Sequence, residues 1–364
     1  MATAPLPRAE ILDLRQVRGR HLAPLFEEEE RLWLSELRWD FKPSVRLIEK
    51  HIDTRSLAGY VALVDGQVAG YCFFVYEERA AAGSPGAARA GAQKGLIGDL
   101  FVRTAYRSAG VASSLLEHAV ETLKATPLLT RIEAQVMPFG SEPLGPLFAA
   151  RGFRCFPRLF MYRELKNPAA GAAGLDRGAD ASVTPGAAES RWTMGGWEDR
   201  FLEPLGELMV AAYAGHMDSH INDQYESLTG ALKFLKNIVV FPGCGVFRPE
   251  GSFVAVADTR GRSHGAERAG TTPAAPHTTL VGALLVSQVA PRVAHVTQVC
   301  VRPEWQGQGL GRELLARSLG ALQERGYEGV SLSVTADNRH AVALYERFGF
   351  IVLKEFAAYV WDKA

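Results

Sequence analysis

The sequence predicts an α/β protein built twice over, each copy a mixed, mostly antiparallel twisted sheet flanked by helices. Three observations carry this prediction. Strand-like runs alternate with amphipathic helical runs along the chain, which is the pattern of a sheet covered by helices. Residues 101–112 (FVRTAYRSAGVA) align with 300–311 (CVRPEWQGQGLG) at a constant offset of 199, and the register continues through a helix. There Leu115, Leu116, Val120 and Leu123 fall on Leu314, Leu315, Leu319 and Leu322, an apolar stripe kept at i, i+4 and i+7. Finally, residues 148–153 (FAARGF) match 345–350 (YERFGF) at an offset of 197. Matches this regular mark a duplicated structural unit.

In the first copy, residues 1–165, a strand is expected over 10–17 and a helical stretch over 21–39, whose acidic run Glu27–Glu30 reads as a solvated face. Strands follow over 57–64 and 68–77, then a Gly/Ala-rich insert over 79–94. A strand over 96–102, a helix over 111–124, a strand over 131–136, a short helix ending at Arg151 and a final hairpin through Leu165 complete the copy. Residues 166–188, rich in Ala, Gly and Asp, read as a linker.

The second copy, 189–364, repeats the order with longer helices. A strand over 191–194 precedes helices within 200–214 and 224–235, then strands over 253–257 and 280–286 that flank a hairpin insert at 259–278. Next come a strand over 295–301, a helix over 309–325 closed by Gly326, a strand over 330–334, a helix over 338–348 and two closing strands.

Composition narrows the function. At 364 residues, 47% apolar and 22% charged, the chain suits two globular domains, and no run approaches the ~20 apolar residues of a membrane span. Forty basic and forty acidic residues cancel, so no overall field gathers nucleic acid or acidic lipid. The N-terminus lacks a basic segment followed by an apolar one, and Cys72, Cys155, Cys244 and Cys300 lie far apart without metal or disulfide spacing. These features point to a cytoplasmic protein with reduced thiols.

The stretch 301–311 (VRPEWQGQGLG) ends a strand-like run and opens an amphipathic helix through closely spaced glycines. Without Cβ atoms at Gly307, Gly309 and Gly311 the backbone can approach an anion, and the first amides of the next helix point unpaired N–H groups at it. A P-loop would need Lys-Ser/Thr after the last glycine, where Arg312 and Glu313 stand; the dinucleotide fingerprint has a different glycine spacing.

Gln306-x-x-Gly309-x-Gly311 after Val301-x-Pro303 resembles the acetyl-CoA signature of the GNAT N-acetyltransferase superfamily. The run Asn338-x-x-Ala341-x-x-x-Tyr345-x-x-x-Gly349-Phe350 resembles a second element of that family, and seven residues, about two helical turns, put Asn338 and Tyr345 on one face. The resemblance implies a tandem GNAT protein that uses acetyl-CoA as cosubstrate and acetylates a small-molecule or peptide amine. It assigns the cofactor to Cys300, Val301, Gln306, Gly307, Gln308, Gly309, Leu310, Gly311, Arg312, Asn338 and Ala341.

Direct transfer of an acetyl group from a thioester to an amine needs three services. The resemblance places an oxyanion donor at a backbone N–H near Cys300, of a kind that can be worth ~2.7–4 kcal/mol. It places the acid for the leaving thiolate at Tyr345. For the base, His295 is the nearest group of suitable type, against a hydrogen-bonded strand histidine or a water relay. Cys300 as a nucleophile lacks a specified basic partner, and a regular strand would point it away from His295. The polar segment 213–225 is expected to cover the acceptor; His216 and His220 lack a third ligand, so no metal is expected.

The copies differ where chemistry needs them to agree. Phe148 stands at the position of Tyr345 and cannot donate a proton, and no asparagine falls within 138–143, where the counterpart of Asn338 belongs. The loop Arg107, Ser108, Ala109, Gly110, Val111, Ala112 keeps the phosphate pattern as a second, weaker cofactor site. The first copy therefore reads as structural or regulatory. A non-catalytic acyl-CoA sensor and a tandem aminoacyltransferase using charged tRNA are the alternatives. Retained Asn338 and Tyr345 argue against the first, and the lack of a basic cluster against the second.

Overall fold

The computed structural model describes residues 9–78, 93–107, 109–139, 144–165, 191–240, 245–258 and 278–363. The expected inserts and linker, and Ser108, lie wholly or largely outside the described residues. The first half runs β1 (Glu10–Asp13), α1 (Ala23–Leu37), α2 (Lys42–Asp53), β2 (Ala58–Val64), β3 (Gln67–Glu78), β4 (Gln93–Val102), α3 (Val111–Ala125), β5 (Leu129–Val136), α4 (Leu144–Ala149) and β6 (Arg154–Glu164). The second runs β7 (Thr193–Gly196), α5 (Leu202–Tyr213), α6 (Leu228–Val239), β8 (Val246–Phe247), β9 (Phe253–Asp258), β10 (Thr278–Ala290), β11 (Val293–Val301), α7 (Leu310–Glu324), β12 (Gly329–Thr335), α8 (Arg339–Arg347) and β13 (Ile351–Asp362).

All described strands join one 13-stranded sheet in the order β1-β2-β3-β4-β5-β13-β6-β12-β11-β10-β9-β7, with β8 paired to β10. Only β4 with β5 and β11 with β12 are parallel. The centre of the sheet departs from expectation. In place of a closing hairpin in the first half and two closing strands in the second, each half ends in one long strand, and the two are exchanged. β13 pairs with β5 of the first half, β6 pairs with β12 of the second, and β13 and β6 pair with each other. The physical reason is visible in both segments: neither RCFPRLFMYRE nor IVLKEFAAYVWD holds a glycine or Asn-Gly turn, so each chain stays extended.

The expected stripes form the core. Leu115, Leu116, Val120 and Leu123 of α3, and Leu314, Leu315, Leu319 and Leu322 of α7, are all buried against the sheet, each worth ~1.5–3 kcal/mol in apolar burial. Gly326 adopts φ 76° just past the end of α7, closing it as the sequence indicates.

The first helical stretch is two helices: Arg38 turns left-handed at φ 58°, and Lys42-Pro43 starts α2, which buries Val45, Ile48 and Ile52. The strand expected over 10–17 stops at Asp13, whose carboxylate accepts the Arg15 N–H and turns the chain into a single helical turn. The acidic run is not wholly solvated either, since Glu29 is fully buried.

Charged groups tie the halves together. The Lys94 ammonium lies 2.5 Å from the Asp223 carboxylate and 3.3 Å from that of Glu133. Arg131 on β5 binds Asp362 of β13 and donates through Nη2 to the carbonyls of His220 and Ile221, at 2.8 and 3.1 Å. The segment that follows α5 is thus held from the first half.

Candidate active site

The site begins with a defect in a strand. Across β10 and β11, Leu285 faces Gln298 but Val286 faces Val296, so Thr297 is bulged, its hydroxyl donating to the Leu285 carbonyl at 3.1 Å. β11 pairs with β12 only as far as Val296 and Leu332. Beyond that pair the two strands no longer bond to each other, which leaves one edge of β11 open.

The direction of the edge groups follows from the register. Arg302 donates its N–H to the Val281 carbonyl, and Cys300 opposes Ala283 two residues earlier, so the amides of both point into the ladder. Val299 and Val301 face the other way. The Val299 carbonyl accepts from the Tyr213 hydroxyl at 3.5 Å and that of Val301 from Gln306 Nε2 at 3.0 Å. The amides available near Cys300 are therefore those of Val299 and Val301, while Cys300 contributes its side chain.

The glycine loop has the geometry that an anion cradle needs. Gly307 and Gly309 adopt φ 71° and 91°, and no atom lies within 4 Å of where a Cβ on either would sit, so conformation rather than crowding selects glycine. α7 starts at Leu310 with no side-chain cap, and the Glu313 N–H makes the first-turn bond to the Gly309 carbonyl. The amides before it are left for an outside acceptor. Leu310 is buried and anchors the turn, whereas Gly307, Gly309 and Arg312 are exposed and Gly311 is half-buried. Gln308 braces the loop, donating to the Glu304 carbonyl and accepting from Arg191. These residues fit a diphosphate.

A cavity of about 200 Å³ lies along the open edge of β11 and reaches Gln306, the residue before the glycine loop. Cys300, Val301, Gln306, Asn338, Ala341 and Tyr345 line it, so it brings together residues from both sequence motifs. Asn338 caps α8, accepting the Ala341 N–H through Oδ1 at 3.2 Å, while its Nδ2 lies 3.3 Å from His216 Nε2. Tyr345 is buried beside Phe350, and burial, with Asp218 adding to it, holds its phenol protonated well above the ordinary range. The phenol therefore stays neutral and keeps the proton it would donate. Burial also pushes the Cys300 thiol up to about 12, so it is a thiol and not a thiolate nucleophile.

His295 is placed differently from the expectation. Its Nδ1 lies 2.9 Å from Ser331 Oγ, its ring packs between Trp39 and Phe160, and it does not line the cavity. Burial, then the charge of Arg158, lowers its pKa to about 3. It is a packed strand histidine and too weak a base for an ammonium.

The segment 213–225 does face the cavity, through Tyr213, His216, Asp218 and Tyr225, with the two tyrosine rings stacked at 4.0 Å. His220 faces away from this role and gives its carbonyl to Arg131. The sequence reasoning missed Arg158, a cavity-lining residue that β6 carries in from the first half. Only the strand exchange brings it there, and no local pattern announces it.

The corresponding region of the first half is cut in two. Arg107 repeats the Gln306 contact, its Nε donating to the Val102 carbonyl at 3.0 Å, and Gly110 repeats the positive φ at 70° before an uncapped α3. Ala109 and Val111 flank it, and Ala112, at the position of Gly311, is buried. Yet the space beneath this loop is only about 40 Å³, closed by Met137, Phe139 and Leu144. A separate space of about 520 Å³ opens past Gly98, and no residue lines both. Between them sits Asp99, at the position of Gln298, buried with Glu29 and Tyr71. Phe148 is fully buried and stacked on Tyr359 of the exchanged β13 at 3.9 Å.

The family model of the acetyltransferase (GNAT) family matches residues 21–153 and again 245–350, together more than half of the chain. The chain belongs to the GNAT family. Enzymes of this family use acetyl-CoA as cosubstrate. Among similar proteins, a mycothiol acetyltransferase of Thermobifida fusca is 40% identical over 111 residues, 29% of this chain and 29% of that protein. The match therefore spans under a third of that relative's length. A GCN5-related N-acetyltransferase of Sphaerobacter thermophilus superposes with a TM-score of 0.59 at 16% identity, covering 99% of this chain and 97% of the other. A tandem GNAT protein from the clavulanic acid biosynthesis pathway gives 0.52 at 17% identity, covering 98% of each chain. These two likenesses show the fold, including its tandem form.

Proposed function

We propose that the second half of the chain is an acetyl-CoA-dependent N-acetyltransferase and that the first half is its structural frame. The observation that carries the reading is the cavity that brings Gln306, at the entry to the glycine loop, together with the free edge of β11, Asn338 and Tyr345. Acetyl-CoA supplies an activated acyl group when bound. The residues of this chain do the rest. Backbone amides of Gly309, Leu310, Gly311 and Arg312 receive the diphosphate, and the Val299 or Val301 amide polarises the acyl carbonyl. Tyr345 returns a proton to the sulfur.

The amine's proton is proposed to leave through a water in the cavity, because His295 does not line it and His216 Nδ1 already accepts the Asp218 N–H. Asp218, on the same wall, attracts the acceptor's ammonium. The first half contributes Arg158 and, through Lys94, Glu133 and Arg131, fixes the segment that bears Asp218. Its own passage is severed at Asp99 and lacks the phenol, so we assign it no turnover. We propose a cytoplasmic reaction, in keeping with its use of acetyl-CoA.

The test is coenzyme A release by the full chain against a panel of primary amines. Release that depends on the amine supports the reading. No release with any amine, together with no acetyl-CoA binding, overturns it.

A further inference from the structure

The acceptor end of the cavity holds a cation whose hydrogen bonds its surroundings leave incomplete. Arg158 is 9% exposed, and among the described residues its guanidinium makes one hydrogen bond, from Nη1 to Thr335 Oγ1 at 3.2 Å, and lies 5.9 Å from the centre of the Phe356 ring, while its buried Nε has no hydrogen-bond partner. The Asp218 carboxylate is 3.8 Å away, beyond hydrogen-bond distance, and is itself bound by the Thr335 hydroxyl. A buried guanidinium with five donors and one full-strength bond is costly unless something else meets it. Arg158 lines the cavity.

We propose that the acceptor is an amine that also carries a carboxylate, an amino acid or a close relative, with Arg158 receiving the carboxylate and Asp218 the ammonium. This rests on the acetyltransferase reading of the same site. A planar carboxylate matches the guanidinium fork in two parallel bonds, which a neutral group cannot do. The two charges of such an acceptor stand a few bonds apart, in keeping with the short spacing between Arg158 and Asp218. Arg158 reaches this cavity only because β6 of the first half lies against β12, so the strand exchange builds specificity as well as stability. The stacked rings of Tyr213 and Tyr225 form an apolar wall for the remaining side chain.

The experiment uses the full chain and measures coenzyme A release with amino acids, each paired with its own carboxamide. The expected result is a kcat/KM about 10- to 100-fold higher for the carboxylate member. In Arg158→Gln that ratio collapses toward one, and in Arg158→Lys part of it returns. Should Arg158→Gln fail to fold, the wild-type ratio and the Lys variant decide the matter. Equal use of carboxylate and carboxamide by the wild type overturns the inference while leaving the acetyltransferase reading intact. A fall in kcat for both members of each pair, with the ratio unchanged, also overturns it. Absence of release with every amine, together with no acetyl-CoA binding, removes the acetyltransferase reading itself, and this inference with it.

Discussion

The two clefts of this molecule share a backbone and differ in what fills it. Each has a bulge at the same place in the repeat, with Thr297 in β11 and Gly98 in β4 left out of register. Each has a left-handed glycine ahead of an uncapped helix, Gly309 and Gly110. In the second half this architecture encloses one passage. In the first, Gly98 lies so close to Phe73 that a Cβ would sit 2.1 Å from its ring, and Asp99 is drawn into a buried contact with Glu29 and Tyr71. The backbone of the repeat is thus kept in both halves, while the side chains that line the space differ, and on the proposed function that difference is what separates a working cleft from a frame.

The sharpest way to break this comparison is to exchange the aromatic pair. Tyr345→Phe should cut turnover by ~10²–10⁴ while acetyl-CoA affinity stays near the wild-type value, and Phe148→Tyr should add nothing. Steady-state kinetics with a good acceptor reads both, and unchanged turnover in Tyr345→Phe rejects the acid assignment.

The role of the first half as a frame predicts a stability effect. Lys94→Met removes the cation between Glu133 and Asp223 and should cost about 3–5 kcal/mol, read as a lowered melting temperature, with a raised acceptor KM because the segment bearing Asp218 loosens.

A smaller effect separates the clefts by pH. Burial, and then the charge of Asp99, raises the Glu29 carboxyl well above its usual value, so the folded state keeps a proton that the unfolded state releases above pH ~4.3. The stability this group contributes is full below that pH and is lost as the pH rises toward the folded value. Glu29→Gln should therefore shrink the fall in melting temperature between pH 5 and pH 8. An unaltered fall contradicts the assignment. Smallest of all, His295→Gln should leave kcat within about threefold, since a neutral packed imidazole takes no proton from the acceptor; a loss like that of Tyr345→Phe restores His295 as the base.

Much of the second cleft was legible because its signals are local. A glycine spacing, a helix stripe and two helical turns between Asn338 and Tyr345 each lie within one stretch of chain. The duplication was legible for the same reason, as a constant offset. The exchange of β6 and β13 was not, because the choice of partner edge for an extended strand depends on residues far away in sequence. Arg158 was hidden with it, and so was the fate of Asp99, whose partner Glu29 sits in an acidic run that looks solvated until α1 is packed. The packing of His295 is likewise hidden in the sequence, because alternation along β11 says which face a side chain takes and not what covers that face.

Calorimetric titration of acetyl-CoA into the full chain, and into its Gly309→Val and Gly110→Val variants, tests the asymmetry of the two clefts most directly. The account predicts one molecule bound per chain, abolished by Gly309→Val and retained by Gly110→Val. Two molecules bound per chain, or binding lost in Gly110→Val and kept in Gly309→Val, would contradict it.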